Sequence, residues 1–95
     1  MIKYFRKRKN FNRIKKLIET NPVRFEGTFK QYPNRSINKY FCENIIITLI
    51  CWFGQKYEND YIIESENKRI DLNENQIKKL YELAEEKHQK PYWIE

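Results

Sequence analysis

Ninety-five residues suffice for one hydrophobic core and not for two, taking about 150 residues as a rough allowance per domain. Hydrophobic residues make up 40%, charged residues 34% and aromatics 16%, too much large apolar surface for a disordered segment, so a single folded unit is expected. The net charge of +6 excludes an acidic mimic of nucleic acid and points to an anionic partner.

The first apolar period is Phe11, Ile14, Leu17 and Ile18, spaced for one face of an α-helix. Carrying that helix back to Lys3 would set Lys3 and Lys7 on the apolar face. The spacing therefore predicts a regular helix from about Asn10, its cap, to Glu19, stopped by Asn21-Pro22. Residues 1–9 are then a basic arm able to continue the helix when bound, with Tyr4 and Phe5 as its large apolar anchors.

From Val23 the period shortens to two, and a half-buried strand is expected as far as Lys30, with Gly27 marking a bulge or a close approach. Tyr32-Pro33-Asn34 turns into a polar loop holding Arg35, Asn38 and Lys39. Asn44 to Phe53 is apolar on both faces and reads as the central strand, with Ile47 and Trp52 in the core. Gly54-Gln55 and a longer loop ending at Asn59-Asp60 both remain open for the next turn. Tyr61 to Glu66 is the following strand, Asn67-Lys68 a turn, and Arg69 to Leu72 a short further strand.

Asn73 with Gln76 three residues on opens a second helix, whose stripe is Ile77, Leu80, Tyr81 and Ala84 and whose end falls near Gln89, before Pro91. The tail Tyr92-Trp93-Ile94 is expected to pack back or to meet a partner. The fold class is thus α+β: a three- to four-stranded antiparallel sheet flanked by an N-terminal and a C-terminal helix, in two layers. Residues 1–9 form the arm, 10–90 the domain and 91–95 the tail.

Charge is unevenly spread. Residues 1–42 hold twelve cations against Glu19 and Glu26, a balance of +10, while residues 43–95 come to −4. Eight cations lie within the first sixteen residues, a density at which like charges repel until an anionic partner screens them. Cations neutralise phosphates and aromatics stack on unpaired bases. The candidate contact residues are accordingly Lys3, Arg6, Lys7, Arg8, Lys9, Arg13, Lys16, Arg35 and Lys39, with Tyr4, Phe5, Tyr32 and Tyr40 as stacking candidates.

Catalytic and cofactor chemistry is sparse. His88 is the only histidine and falls at a helix end, where a solvent-exposed position is expected. Cys42 and Cys51 lack a CxxC spacing, so neither a zinc site nor any other metal or cofactor is expected, and both should be reduced thiols. With two glycines the chain has no phosphate-cradling loop of the GxxxxGK[ST] or GxGxxG kind. The longest apolar run, Ile45 to Phe53, falls short of the ~20 residues that span a bilayer, and no export signal is read, so a cytoplasmic location is expected.

These features favour a small basic, non-enzymatic binding protein acting on nucleic acid or a nucleoprotein complex through its cationic N-terminal half. Two further classes fit less closely. One is a phage or mobile-element inhibitor of a host defence nuclease, anti-CRISPR-like, binding an acidic protein surface; the 13 Lys, 13 Ile and 10 Asn follow A/T-rich codons and suit such an origin. The other is a small metal-independent ribonuclease of toxin type, in which Lys and Arg steady the phosphate and a Tyr or Lys moves the proton.

Overall fold

The run that is apolar on both faces becomes the middle strand of an antiparallel sheet. A computed structural model of the chain describes residues 2–27, 35–52 and 59–93, and the side chains within 6–27, 35–52 and 59–88. The elements are α1 (Ile2–Thr20), β1 (Arg24–Gly27), β2 (Arg35–Cys42), β3 (Ile45–Trp52), β4 (Asp60–Ser65), β5 (Lys68–Arg69) and α2 (Glu74–Trp93). The strands lie side by side in chain order, β1-β2-β3-β4-β5. Both helices pack on one face, giving a two-layer α+β fold with five strands where three to four were expected.

Alternation along the pleat decides what each face carries. Phe25, Tyr40, Ile47 and Ile63 are successive register partners across four strands, and the Ile70 N–H extends the row by donating to the Ile63 carbonyl at 3.1 Å. Of these, Tyr40, Ile47 and Ile63, with Cys42, Ile45 and Leu49, meet Ile14 and Ile18 of α1 and Ile77, Leu80, Tyr81 and Ala84 of α2 in one buried cluster; Ile70 packs against it and Phe25 is exposed. Burial of each Ile or Leu contributes about 1.5–3 kcal/mol, so this face supplies most of the fold's stability.

The extra strand is β2, placed where a polar loop was expected. Arg35, Asn38 and Lys39 are weak strand formers. Pairing overrides them, because β2 bonds to β1 on one side and to β3 over eight registered residues on the other. The register through Gly27 and Asn38 is unbroken, so of the bulge and the close approach offered for Gly27 the bulge is not formed. The turn after β4 lies at Glu66-Asn67, one residue earlier than expected. Both have positive φ, 52° and 67°, as a two-residue type I′ hairpin demands. The Gly54 turn, the end of the first expected strand at Lys30, Phe53 and Ile94 lie outside the described residues.

α1 starts at Ile2, so residues 2–9 are its first turns and Asn10 is an interior residue, not a cap. Lys7 is half-buried there, an arrangement open to lysine because its stem can lie along apolar surface while the ammonium reaches water. Asn10 instead uses Nδ2 to donate to the Asp71 carbonyl at 3.2 Å, tying α1 to the segment after β5.

α2 begins as expected: the Asn73 Oδ1 accepts from the Gln76 N–H at 2.9 Å while the Gln76 Oε1 accepts from the Asn73 N–H at 3.0 Å. It runs past Pro91 to Trp93, since a proline in the final turn forfeits only one amide hydrogen bond. His88 is half-buried, not solvent-exposed. Its ring lies 5.7 Å from both Phe25 and Tyr40, with Nδ1 3.4 Å from the Val23 carbonyl.

The carboxyl end of α1 is tied down by its neighbours. The Asn21 amide and side chain both donate to the Leu17 carbonyl at 3.0 Å. Lys87 reaches across from α2 and donates Nζ–H to the Ile18 carbonyl at 2.6 Å and to that of Asn21. A cation at the negative end of a helix macrodipole is favourably placed.

Burial and bonding together rank four substitutions. Ile47, 1% exposed, should cost about 2–5 kcal/mol when changed to Ala. Trp52, expected in the core, is half-buried on the face opposite the helices, so Trp52→Ala should cost less than Ile47→Ala despite the larger side chain; urea denaturation of both ranks them. Lys87→Met, which removes two charge-assisted bonds, should cost about 1.5–3 kcal/mol. Lys79→Met on the exposed side of the same helix should stay within about 0.5 kcal/mol by the same measurement.

Candidate functional site

Seven of the expected contact cations, Lys3, Arg6, Lys7, Arg8, Lys9, Arg13 and Lys16, belong to α1. Because residues seven apart return to nearly the same side of a helix, Arg6, Lys9, Arg13 and Lys16 fall within about 80° of one another. They make a stripe about 15 Å long. Arg8 and Lys15, also seven apart, form a second row on the other flank, with Asn12 between the rows. All six of these cations are exposed. The first turn carries no acid, and Glu19 near the far end is the only acid of α1. The positive end of the macrodipole therefore coincides with the densest positive charge.

Arg35, Lys39 and Tyr40 do not join this surface. Arg35 and Lys39 point to the other face of the sheet, because they alternate with Tyr40 and Cys42, which face the helices. Tyr40 is 4% exposed, so it is a core residue and not a stacking platform. Its ring meets Tyr81 edge-on at 5.0 Å and Phe25 at 4.9 Å. Lys3, Tyr4 and Phe5 lie in the first turn of α1, their side chains outside the described residues, and Tyr32 lies outside them altogether.

Alternation also assembles a second surface that a loop assignment for 35–39 concealed. On the side of the sheet turned away from the helices the Arg24 guanidinium lies over the Phe41 ring, 4.6 Å from its centroid, and that of Arg35 lies 5.2 Å over Trp52. The Trp52 Nε1–H donates to Asp60 Oδ2 at 2.9 Å. Between these pairs stand Ile46, Ile50 and Ile62, all half-buried, around Thr48. The signal was the period of two in Arg35, Ile37, Lys39 and Phe41, legible once 35–42 is taken as extended.

The phenols of Tyr40, Tyr61 and Tyr81 are all held in the protonated form at neutral pH. Burial pushes the Tyr40 phenol up to about 12, and Glu85 adds in the same direction. Burial likewise raises Tyr81 and Tyr61, with Tyr40 and Glu82 the next contributors. The Cys42 thiol is raised by burial, and its Sγ–H donates to the Leu17 carbonyl at 3.5 Å; Cys42 and Cys51 are both free. Among the described residues no cluster of His, Cys, Asp and Glu is arranged to hold a metal, and no helix is long and apolar enough to cross a membrane.

A phenol whose pKa is higher folded than unfolded holds its proton more tightly in the native state. Its contribution to stability is complete below the unfolded value of 10.0 and is lost as the pH climbs through about 12. Stability should therefore decline from pH 10 upward. Absorbance titration at the phenolate band should show a late-ionising group that Tyr40→Phe removes.

No protein-family model, curated protein or solved structure matches the chain.

Proposed function

We propose that the protein is a non-enzymatic nucleic-acid-binding protein whose contact element is α1. The observation that carries this reading is the pair of exposed cation rows, Arg6, Lys9, Arg13 and Lys16 on one flank and Arg8 and Lys15 on the other, on a helix whose only acid is Glu19.

A solvated surface helix ordinarily mixes signs, since opposite charges three or four residues apart gain about 0.2–0.5 kcal/mol and like charges lose as much. α1 has like charges at those spacings: Arg6 with Lys9, Lys9 with Arg13, Arg13 with Lys16. Phosphates laid along the stripe relieve that repulsion and release their own counterions. Rows on both flanks suit a backbone-tracking grip, which positions without reading sequence. The buried tyrosines favour binding over cleavage, and the two free thiols suit a reducing, cytoplasmic setting.

The test is replacement of Arg6, Lys9, Arg13 and Lys16 together by Gln. The fold should persist by circular dichroism, because these four are exposed. Anisotropy titrations with labelled duplex DNA and single-stranded RNA should show weaker binding for the variant. The salt slope should flatten by up to ~0.9 per lost contact on duplex and ~0.7 on a single strand. Wild-type protein that binds neither probe at low salt, or a variant that binds as tightly as wild type, refutes the proposal.

A further inference from the structure

The face of the sheet turned away from the helices carries a half-buried aliphatic centre with no described element across it. Ile46 and Ile50 of β3 and Ile62 of β4 flank Thr48, which is only 5% exposed through the crowding of its neighbours. Aliphatic side chains of this kind pack against protein and have no π-face for a base. Carboxylates at Glu26, Asp60 and Glu64 are interspersed with Arg24, Arg35, Lys39 and Arg69, so this face presents both signs, unlike the cation rows of α1, and suits a partner of mixed charge.

We propose that this face binds a second copy of the chain, sheet against sheet, about a twofold axis running along β3. The argument is charge complementarity with itself. Its β1–β2 half carries Arg24, Arg35 and Lys39 against Glu26, a balance of +2, and its β4–β5 half, on the other side of β3, carries Asp60 and Glu64 against Arg69, a balance of −1. A twofold along β3 lays β2 of one copy over β4 of the other. Lys39, Thr48 and Ile62 share one cross-strand row, so Lys39 comes over Ile62 of the second copy, between its Asp60 and Glu64 carboxylates. Phe41, Ile46, Glu64 and Arg69 share another row, which sets the Arg24 backbone over Arg69 of the second copy; the Arg24 guanidinium, resting on the Phe41 ring, reaches in from there over Glu64. Each contact occurs twice, and the β3 isoleucines meet their own counterparts at the axis.

The available area matches a reversible dimer. Four strands about 4.8 Å apart and roughly seven residues long at about 3.4 Å each give a face of roughly 500 Å² in projection. Side-chain relief brings this toward the approximately 800 Å² a side of a standard interface, which is also about a tenth of this chain's 7394 Å². Facing sheets pack about 10 Å apart and about 30° from alignment, an offset that long Arg and Lys side chains can follow.

Sedimentation velocity from about 10 µM to about 1 mM should show a monomer–dimer equilibrium with a micromolar constant. Arg24→Glu and Glu64→Arg should each weaken it at least about tenfold, because each places like charges face to face. Mixing the two variants should rebuild dimers that neither forms alone. In the mixed dimer the two introduced charges, opposite in sign, face each other at one contact, and the native Arg24 and Glu64 face each other at its symmetry mate; a fold merely damaged by substitution would not be rescued so. A protein that stays monomeric at about 1 mM overturns the proposal. So does a dimer indifferent to both substitutions, or one that the mixture fails to rebuild. If Arg24→Glu instead abolishes nucleic-acid binding by a monomer, the face belongs to nucleic acid and the proposal fails.

Discussion

A strand that is apolar on both faces has to be covered on both, and among the described residues there is one layer of helices to cover it. Ile45, Ile47 and Leu49 of β3 point one way and Ile46, Ile50 and Trp52 the other. Ile14, Ile18, Leu80 and Ala84, each 1% exposed or less, complete the first side. At about 25 cal/mol per Å² of buried apolar surface, that side outweighs anything electrostatic in the molecule. It fixes the helices, and through them the direction in which every charged side chain of α1 looks. The second side is left with its own edges for cover: arginines stacked on Phe41 and Trp52, and half-buried isoleucines between them.

That imbalance explains why α1 tolerates its charge. A helix with cations at its positive end loses about 0.3–1 kcal/mol per misplaced charge at low salt, and each like-charged neighbour pair a few tenths more. Two fully buried isoleucines, together with half-buried Phe11 and Leu17, return several times that. The carboxyl end is held independently by Asn21 and Lys87. The repulsion is therefore carried by a helix anchored along its other side and at its end. An anchored helix keeps its charges in fixed register, so an anionic ligand meets them without a large ordering cost.

What could be read from the residues was whatever a single local period determines. The apolar stripes of both helices, the capping box at Asn73 and Gln76, the central place of β3 and the antiparallel α+β class are all visible in stretches of ten to twenty residues. What escaped depends on partners distant in sequence. β2 is a strand because β1 and β3 lie on either side of it, not because of Asn38 or Lys39. Tyr40 looks like a surface aromatic in a cationic stretch until the register sets it between Phe25 and Ile47 and under Tyr81. His88 looks like a helix-end residue until β1 comes to lie beside it. Burying Lys7 looked forbidden only if its ammonium were buried with its stem.

The two surfaces lie on opposite sides of one thin sheet, and this restricts how they can work together. With sheets about 10 Å apart and each helix layer about 10 Å beyond its own sheet, a face-to-face dimer sets its two α1 helices roughly 30 Å apart on outward-facing sides. A short straight duplex or strand touching one helix cannot also lie along the other. Two cationic helices so arranged favour bridging of two nucleic-acid segments, or of distant parts of one bent segment, over clamping of a single site. Binding of the second segment gains from the first only through the effective concentration that the dimer imposes, and that gain falls off when the nucleic acid is too short or too stiff to reach both sides. The proposed binding, by the proposed dimer, should therefore depend on nucleic-acid length as a consequence of which face of the sheet the helices cover.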